Sequence, residues 1–214
     1  MADPLPVVGL PAAEFIEVKN VSNRSLRLDG CMISDGVTTG TIGSGIVLPP
    51  DSVLILCPKT HLQTFSSYGR STALNPFPSI DNDGDEIVLF SSEGMVVHAV
   101  KFESSDYQNP IKQNGGWSFE MIDHRFPCHG AANWSVSQAA QGGTPGKVNS
   151  VAGSRSDLTA PVPLRSWAVD SLTLIVEFDE GLDSLTASLV NSYDLGMNAP
   201  KVLKARPLAP FFDH

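Results

Sequence analysis

The sequence is short of most of what membrane proteins, nucleic-acid binders and hydrolases are built from. No stretch approaches the 18 or more consecutive apolar residues that a membrane-spanning helix needs. Positive charge is scarce: 14 Lys and Arg stand against 23 Asp and Glu, for a formal net charge of −9 and a pI of about 4.9. The overall field therefore repels phosphate backbones. Arg24, Arg27, Lys101, Lys112, Lys147 and Arg155 are scattered singly among acids, with no basic patch to offset the excess. Cysteine is limited to Cys31, Cys57 and Cys128, an odd number without a Cys-x-x-Cys pair, which argues against structural zinc and a disulfide framework. Cys31 and Cys57 sit in apolar runs and read as small buried hydrophobes. There is no Ser or Cys in a nucleophile elbow, no His-Glu-x-x-His, and no long helix-forming run.

What is present is turn chemistry alternating with short apolar runs. Gly (18) and Pro (16) are abundant and 42% of the 214 residues are hydrophobic, enough for one core and part of a second. Many short runs punctuated by Gly, Pro, Asn and Ser indicate an all-β fold. Residues Glu14 to Val21 are β-rich and end in an Asn/Ser turn, and Ser25 to Gly30 alternates so that Leu26 and Leu28 are expected to face a core. Cys31 to Ser34 reads as a short strand, and Gly36 to Gly45 as a loop. The Gly-Thr-Ile-Gly-Ser-Gly inside that loop lacks the following helix and Lys-Ser/Thr of a phosphate cradle. Val53 to Cys57 is apolar throughout, as in a strand covered on both faces. Thr60 is placed to cap a short helix from His61 to Phe65.

Asp81-Asn82-Asp83-Gly84-Asp85-Glu86 has the make-up of a calcium loop, but the bidentate Glu and flanking helices of an EF-hand are missing. It reads as a solvated turn, with weak calcium binding at Asp81, Asp83 and Asp85 as the alternative. The clearest hairpin joins Ile87–Phe90 to Met95–Phe102 and puts Val96, His98, Val100 and Phe102 on one face. His98 is expected to be a hydrogen-bonded structural histidine. Trp117 to Ile122 alternates again, aiming Trp117, Phe119 and Met121 to one side as the strongest core expectation. His124, Cys128 and His129 are metal-ligand types without a fourth partner at a useful spacing. Trp134 is expected on the edge of a sandwich with its indole N–H bonded, and Gly142 to Gly146 to turn the strand end and release the chain. Residues 152–163 are small, polar and Pro-bearing, which is linker chemistry. Beyond them Leu172, Leu174, Val176 and Phe178 share a face, with one helical turn expected from Ser184 to Leu189. Asn20, Asn23 and Asn133 open Asn-x-Ser triplets of the glycosylation type.

Glu-Phe-Ile-Glu-Val-Lys-Asn, the Leu-x-Leu-x-Gly run at Leu26 to Gly30, Gly-Trp-Ser-Phe-Glu-Met-Ile-Asp, Ala-Asn-Trp and Gly-Gly-Thr-Pro-Gly-Lys-Val-Asn-Ser occur in that order. Over Pro6 to Ser150 the chain thereby resembles the lamin-tail domain in its bacterial form, common in secreted Bacteroidetes-type proteins. Leu-Thr-Leu-Ile-Val-Glu-Phe-Asp-Glu-Gly-Leu-Asp with Tyr193 resembles, over a shorter span, the bacterial Ig-like modules that often follow it. The resemblance implies a lamin-tail-like, Ig-type β-sandwich over 1–151, a linker at 152–163 and a partial Ig-like domain over 164–214. Its structural core is expected at Trp117, Phe119, Trp134, Gly143 and Pro145. It further implies a longer parent chain in which Met1 is internal, with the export signal and other domains outside it. The function implied is a non-catalytic interaction or spacer module, extracellular or at the cell surface, without cofactor or metal. Its partner is an unknown protein or glycan, alongside the parent chain's other domains. An unpaired strand edge at Glu14 to Val18 points to an edge-strand dimer. Two alternatives stand: nucleic-acid binding by analogy with nuclear lamins, which the charge disfavours, and a secreted hydrolase using Asp81 with Glu86 or Asp179 with Asp183.

Overall fold

The computed structural model describes residues 1–127, 130–154, 160–196 and 199–212. Among these the chain is all-β, with strands in several sheets and only two single-turn α-helices. In order, the elements are β1 (Ile16–Lys19), β2 (Leu26–Arg27), β3 (Met32–Ser34), β4 (Thr39–Thr41), β5 (Val47–Leu48), β6 (Val53–Pro58), α1 (Leu62–Phe65), β7 (Ser71–Leu74), β8 (Gly84–Phe90) and β9 (Val96–Glu103). They are followed by β10 (Phe119–Met121), β11 (Trp134–Val136), β12 (Pro163–Ala168), β13 (Leu174–Phe178) and α2 (Ser184–Ala187). The chain divides into two compact units, Met1–Pro127 with Ala131–Arg155, and residues 128–130 with 156–214.

The first unit is organised around β6. Its run Val53–Pro58 pairs antiparallel with β1 and parallel with β7. Alternation sends Leu54 and Leu56 into one apolar cluster, and Ile55 and Cys57 into another with Phe15 and Phe65. Coverage on both faces is why this strand carries no polar residue. The first cluster also takes Ile33 from β3, Ile87 from β8 and Phe102 from β9. Thus the sheet β1-β6-β7 and the sheet β4-β3-β8-β9 share one core. The expected hairpin is the β8–β9 pair, with a register shift between Leu89 and Phe90.

Several local expectations change. Leu28 is buried but Leu26 is 40% exposed, because β2 is only two residues long and pairs with the equally short β5. The loop at 36–45 contains β4, in which Gly40 sits opposite Ile33. A Cβ at Gly40 would meet the Pro76 carbonyl, so a small residue there serves packing and not phosphate binding. Thr60 caps nothing: it lies inside a 3-10 turn, Lys59–His61, and α1 begins at Leu62.

The second unit contains the β12–β13 hairpin, in which Arg165 pairs with Glu177. All six residues of β12 are exposed. Leu172, expected on the buried face, is 96% exposed in the turn, where its N–H donates to Asp170 Oδ1. Asp183 caps α2 by accepting from Thr186 N at 2.7 Å, and the Tyr193 hydroxyl donates to Ala187 O at 2.7 Å. Residues 155–159 of the expected linker lie outside the described residues, and Pro163, its last residue, opens β12.

Candidate functional site

A cleft of about 790 Å³ opens in the first unit beside β1. All four residues of β1 line it, together with His98, Val100 and Phe102 of β9, Phe119 and Met121 of β10, and Trp134 of β11. In a strand, successive side chains point to opposite faces. A cavity touching Ile16 and Val18 as well as Glu17 and Lys19 therefore abuts the strand's edge. Its apolar wall is an aromatic group in which Phe119 stacks with Tyr107 at 5.3 Å and Trp134 at 5.8 Å, and meets Phe102 at 6.1 Å.

The polar wall was not anticipated. Ser118 and Glu120 alternate with Trp117, Phe119 and Met121, the three expected in the core; instead Ser118 and Glu120 are the buried members, 3% and 5% exposed, and the three apolar residues are half-buried. The cause is the segment after β11, which lies across that face. Glu120 Oε1 accepts from the hydroxyls of Ser118 at 3.0 Å and Thr144 at 2.9 Å. Its Oε2 accepts from the Ser150 N–H and hydroxyl, both at 2.8 Å. Asn149 Nδ2 donates to Met121 O at 2.9 Å, and Gly146 N donates to Glu17 Oε1 at 2.7 Å. Residues 142–150 form a strap over β10 that reaches β1, and do not release the chain. Gly143 and Pro145 are buried in it. A Cβ at Gly143 would lie 2.6 Å from Ser118 Oγ and 2.9 Å from Leu10 Cδ1. The only signal in the sequence was the clustering of Gly142, Gly143 and Gly146, residues that allow backbone to approach a strand closely.

Burial governs the cleft's titration. The Glu17 carboxyl is pushed up to about 7 by desolvation, and Glu120 adds to the rise. The Gly146 N–H and the Met1 amine oppose it. The Met1 amine is pushed down to about 6 by burial, against the pull of Glu17, Glu14 and Glu120. Burial also holds Tyr107 up at about 12, with Asp3 contributing. His98 is lowered by desolvation, and its Nε2 is buried without a hydrogen-bond partner, so the expected hydrogen-bonded histidine is not observed.

Trp117 is half-buried against the main core, with Lys112 Nζ 4.1 Å from its ring centroid. The Trp134 indole packs on Phe119, and its N–H has no hydrogen-bond partner among the described residues. In the acidic turn, Asp85 accepts from Asp81 N at 3.0 Å and from Glu86 N at 2.7 Å, while Asp81 and Asp83 are exposed. Asp179 accepts from Val162 N at the open end of the β12–β13 hairpin and Asp183 caps α2, so both carboxylates bond backbone N–H groups. Among the described residues no three His, Cys, Asp or Glu side chains converge on a metal site; Cys128 and His129 lie outside them. Asn20 and Asn133, 1% exposed each, have their side-chain amides engaged. Asn20 bonds Leu48 O and Ser22 N; Asn133 bonds both Asp123 N and Asp123 O. Neither is open to a glycan. No protein-family model matches the chain, and no curated protein matches it. No helix among the described residues is long and apolar enough to cross a membrane.

Proposed function

We propose that the chain is a non-catalytic interaction and spacer module of an exported or cell-surface bacterial protein. In this reading the first unit is an Ig-type β-sandwich of the lamin-tail kind, and the second is a bacterial Ig-like element that sets its spacing. One observation carries the reading: the first unit's buried Glu120, Asn133 and Asn20 hold the fold together, while the cleft beside β1 offers a mainly apolar wall and a strand edge. Glu120, Asn133 and Asn20 each bond backbone or hydroxyl partners of the fold, leaving the half-buried Phe119, Met121 and Trp134 among the apolar groups that the cleft presents. A net charge of −9 favours protein or neutral glycan partners over nucleic acid. The test is a pull-down of envelope proteins and glycans with the purified chain, run beside turnover assays on phosphoesters, glycosides and esters. Saturable capture without turnover is the expected result, and reproducible turnover that follows the protein through purification would overturn the reading.

A further inference from the structure

Charge is missing from one corner of the first unit, where residues 4–13, 107–118 and 137–146 meet. Between them these three segments hold a single charged side chain, Lys112, in a chain that carries 14 basic and 23 acidic residues. They are locked together through backbone. Gly116 N donates to Asp3 O at 2.9 Å, and Ser118 N donates to Gly142 O at 2.8 Å. A Cβ at Gly116 would meet Pro6 O and Val8 Cγ2, one at Gly142 would meet Gly116 O, and one at Gly9 would meet Gln141. Lys112 turns its charge inward: Nζ donates to Ser137 O at 2.5 Å and lies 4.1 Å from the centroid of the Trp117 ring. Asp3, at the border, accepts from Leu5 N at 3.0 Å.

What these segments present to solvent is aliphatic and amide. Leu5, Val7, Val8 and Ile111 are exposed, Ile111 by 79%. Gln108, Gln113 and Gln138 are exposed too, and their side-chain amides have no hydrogen bond among the described residues. Exposed apolar side chains grouped in one place mark a contact surface, and depletion of charge around them is the composition of an interface centre. The antiparallel pairing of Met1 with Phe15 directs any preceding residues along β1 toward Lys19, away from this corner. The face is therefore made by residues 4 onward and is separate from the cleft.

We propose that this charge-free face binds a second copy of the chain about a two-fold axis. Two properties select the chain itself as occupant. The first is charge: each copy carries −9, so two copies repel wherever acidic surface meets acidic surface, and here they touch without bringing like charges together. The second is self-complementarity. In a two-fold contact the same patch lies on both sides, so its groups must be able to pair with their own kind. Carboxylates and ammonium groups cannot do so. A Gln amide can, because it carries both donor and acceptor, and Leu5, Val7, Val8 and Ile111 can as apolar groups. The apolar area is on the order of 400 Å² per copy, at the low end for specific association, so the dimer is weak, with a Kd of about 10–100 μM. The proposal rests on the interaction-module reading and deepens it by naming the chain as one of its own partners.

The experiment is sedimentation velocity of the whole chain in reducing buffer, from about 1 to about 500 μM, at low and at moderate salt. A monomer–dimer equilibrium is expected, and added salt should strengthen it about two- to fivefold by screening the repulsion between the two acidic chains. Ile111→Glu sets like charges against each other across the axis and should weaken association about tenfold or more. Val37→Glu makes the same change of charge at a 95%-exposed position in the turn between β3 and β4, and should alter association less than about twofold. Both side chains are exposed, so both variants are expected to fold. Amide exchange compared at low and high concentration should slow at Val7 and Val8 on dimerisation and stay unchanged from Ile16 to Lys19. A chain that is monomeric throughout the range would overturn the proposal, as would equal weakening by the two variants or a dimer that salt dissociates. A dimer whose added protection falls on Ile16 to Lys19 would overturn it as well, in favour of pairing at the β1 edge. None of these results alters the pull-down and turnover assays that decide the broader reading.

Discussion

Replacing Glu17 by Gln should change how the stability of the first unit depends on pH. The folded state holds this carboxyl up at about 7 from an ordinary 4.5, and burial is the main cause. A raised carboxyl pKa means that the folded state binds the proton more tightly than the unfolded one. Glu17 therefore costs no stability below about pH 4.5, and its cost grows with rising pH until it is complete above pH 7. A shift of that size corresponds to at most roughly 3 kcal/mol; the side chain borders the open cleft, where water screens it, and about 1–3 kcal/mol is the working range. Gln keeps an oxygen to accept the Gly146 N–H, 2.7 Å away in the wild type, and cannot ionise. Thermal unfolding followed by tryptophan fluorescence between pH 4 and 8 is the assay. The variant should match the wild type near pH 4.5 and exceed it by about 2–10 °C in Tm at pH 7.5. The Met1 amine, lowered to about 6, adds a slope of opposite sign between pH 6 and 8, but it is present in both proteins and largely cancels in the difference. Parallel profiles, offset by a constant at every pH, would refute the reasoning, because Glu17 would then ionise as a solvated carboxylate.

Other perturbations follow from the strap. Glu120→Ala should cost roughly 3 kcal/mol in urea unfolding, since four donors lose their shared acceptor; a loss below about 1 kcal/mol would mean that the strap holds without it. Gly143→Ala should cost about 1–3 kcal/mol by pressing on Ser118 and Leu10, and a neutral result would place the strap farther from β10. Trp117→Ala should fall near the lower end of the ~3–5 kcal/mol of core aromatic truncations, because the ring is only half-buried. If stability is unchanged and partner binding is lost, Trp117 is a contact residue instead.

Periodicity was readable wherever an element is long and covered in one consistent way. Val53 to Cys57 announced a strand apolar on both faces because two separate clusters cover it, and the β8–β9 hairpin announced itself through alternating runs around Ser91 to Gly94. Trp117 to Ile122 announced a strand but not its orientation: the alternation is real, yet the burial follows Ser118 and Glu120. Nothing local marks a carboxylate for burial when the four groups bonded to it include three from Thr144 and Ser150, which lie 24 and 30 residues away. Leu26 and Leu172 show the converse limit, since each alternates correctly but sits where no second layer covers it. The cleft was legible only as an unpaired edge at Glu14 to Val18. Its second wall is β10, about a hundred residues further on, and strand pairing across that separation leaves no short-range trace in the sequence.

The open edge of β1 is tested most directly by amide exchange of the free chain, read residue by residue across Ile16 to Lys19. The account requires an alternating pattern, with the amides of Ile16 and Val18 protected by β6 and those of Glu17 and Lys19 exchanging at rates near those of exposed loops. Uniform protection of all four would contradict it, because the outer edge of β1 would then already be paired.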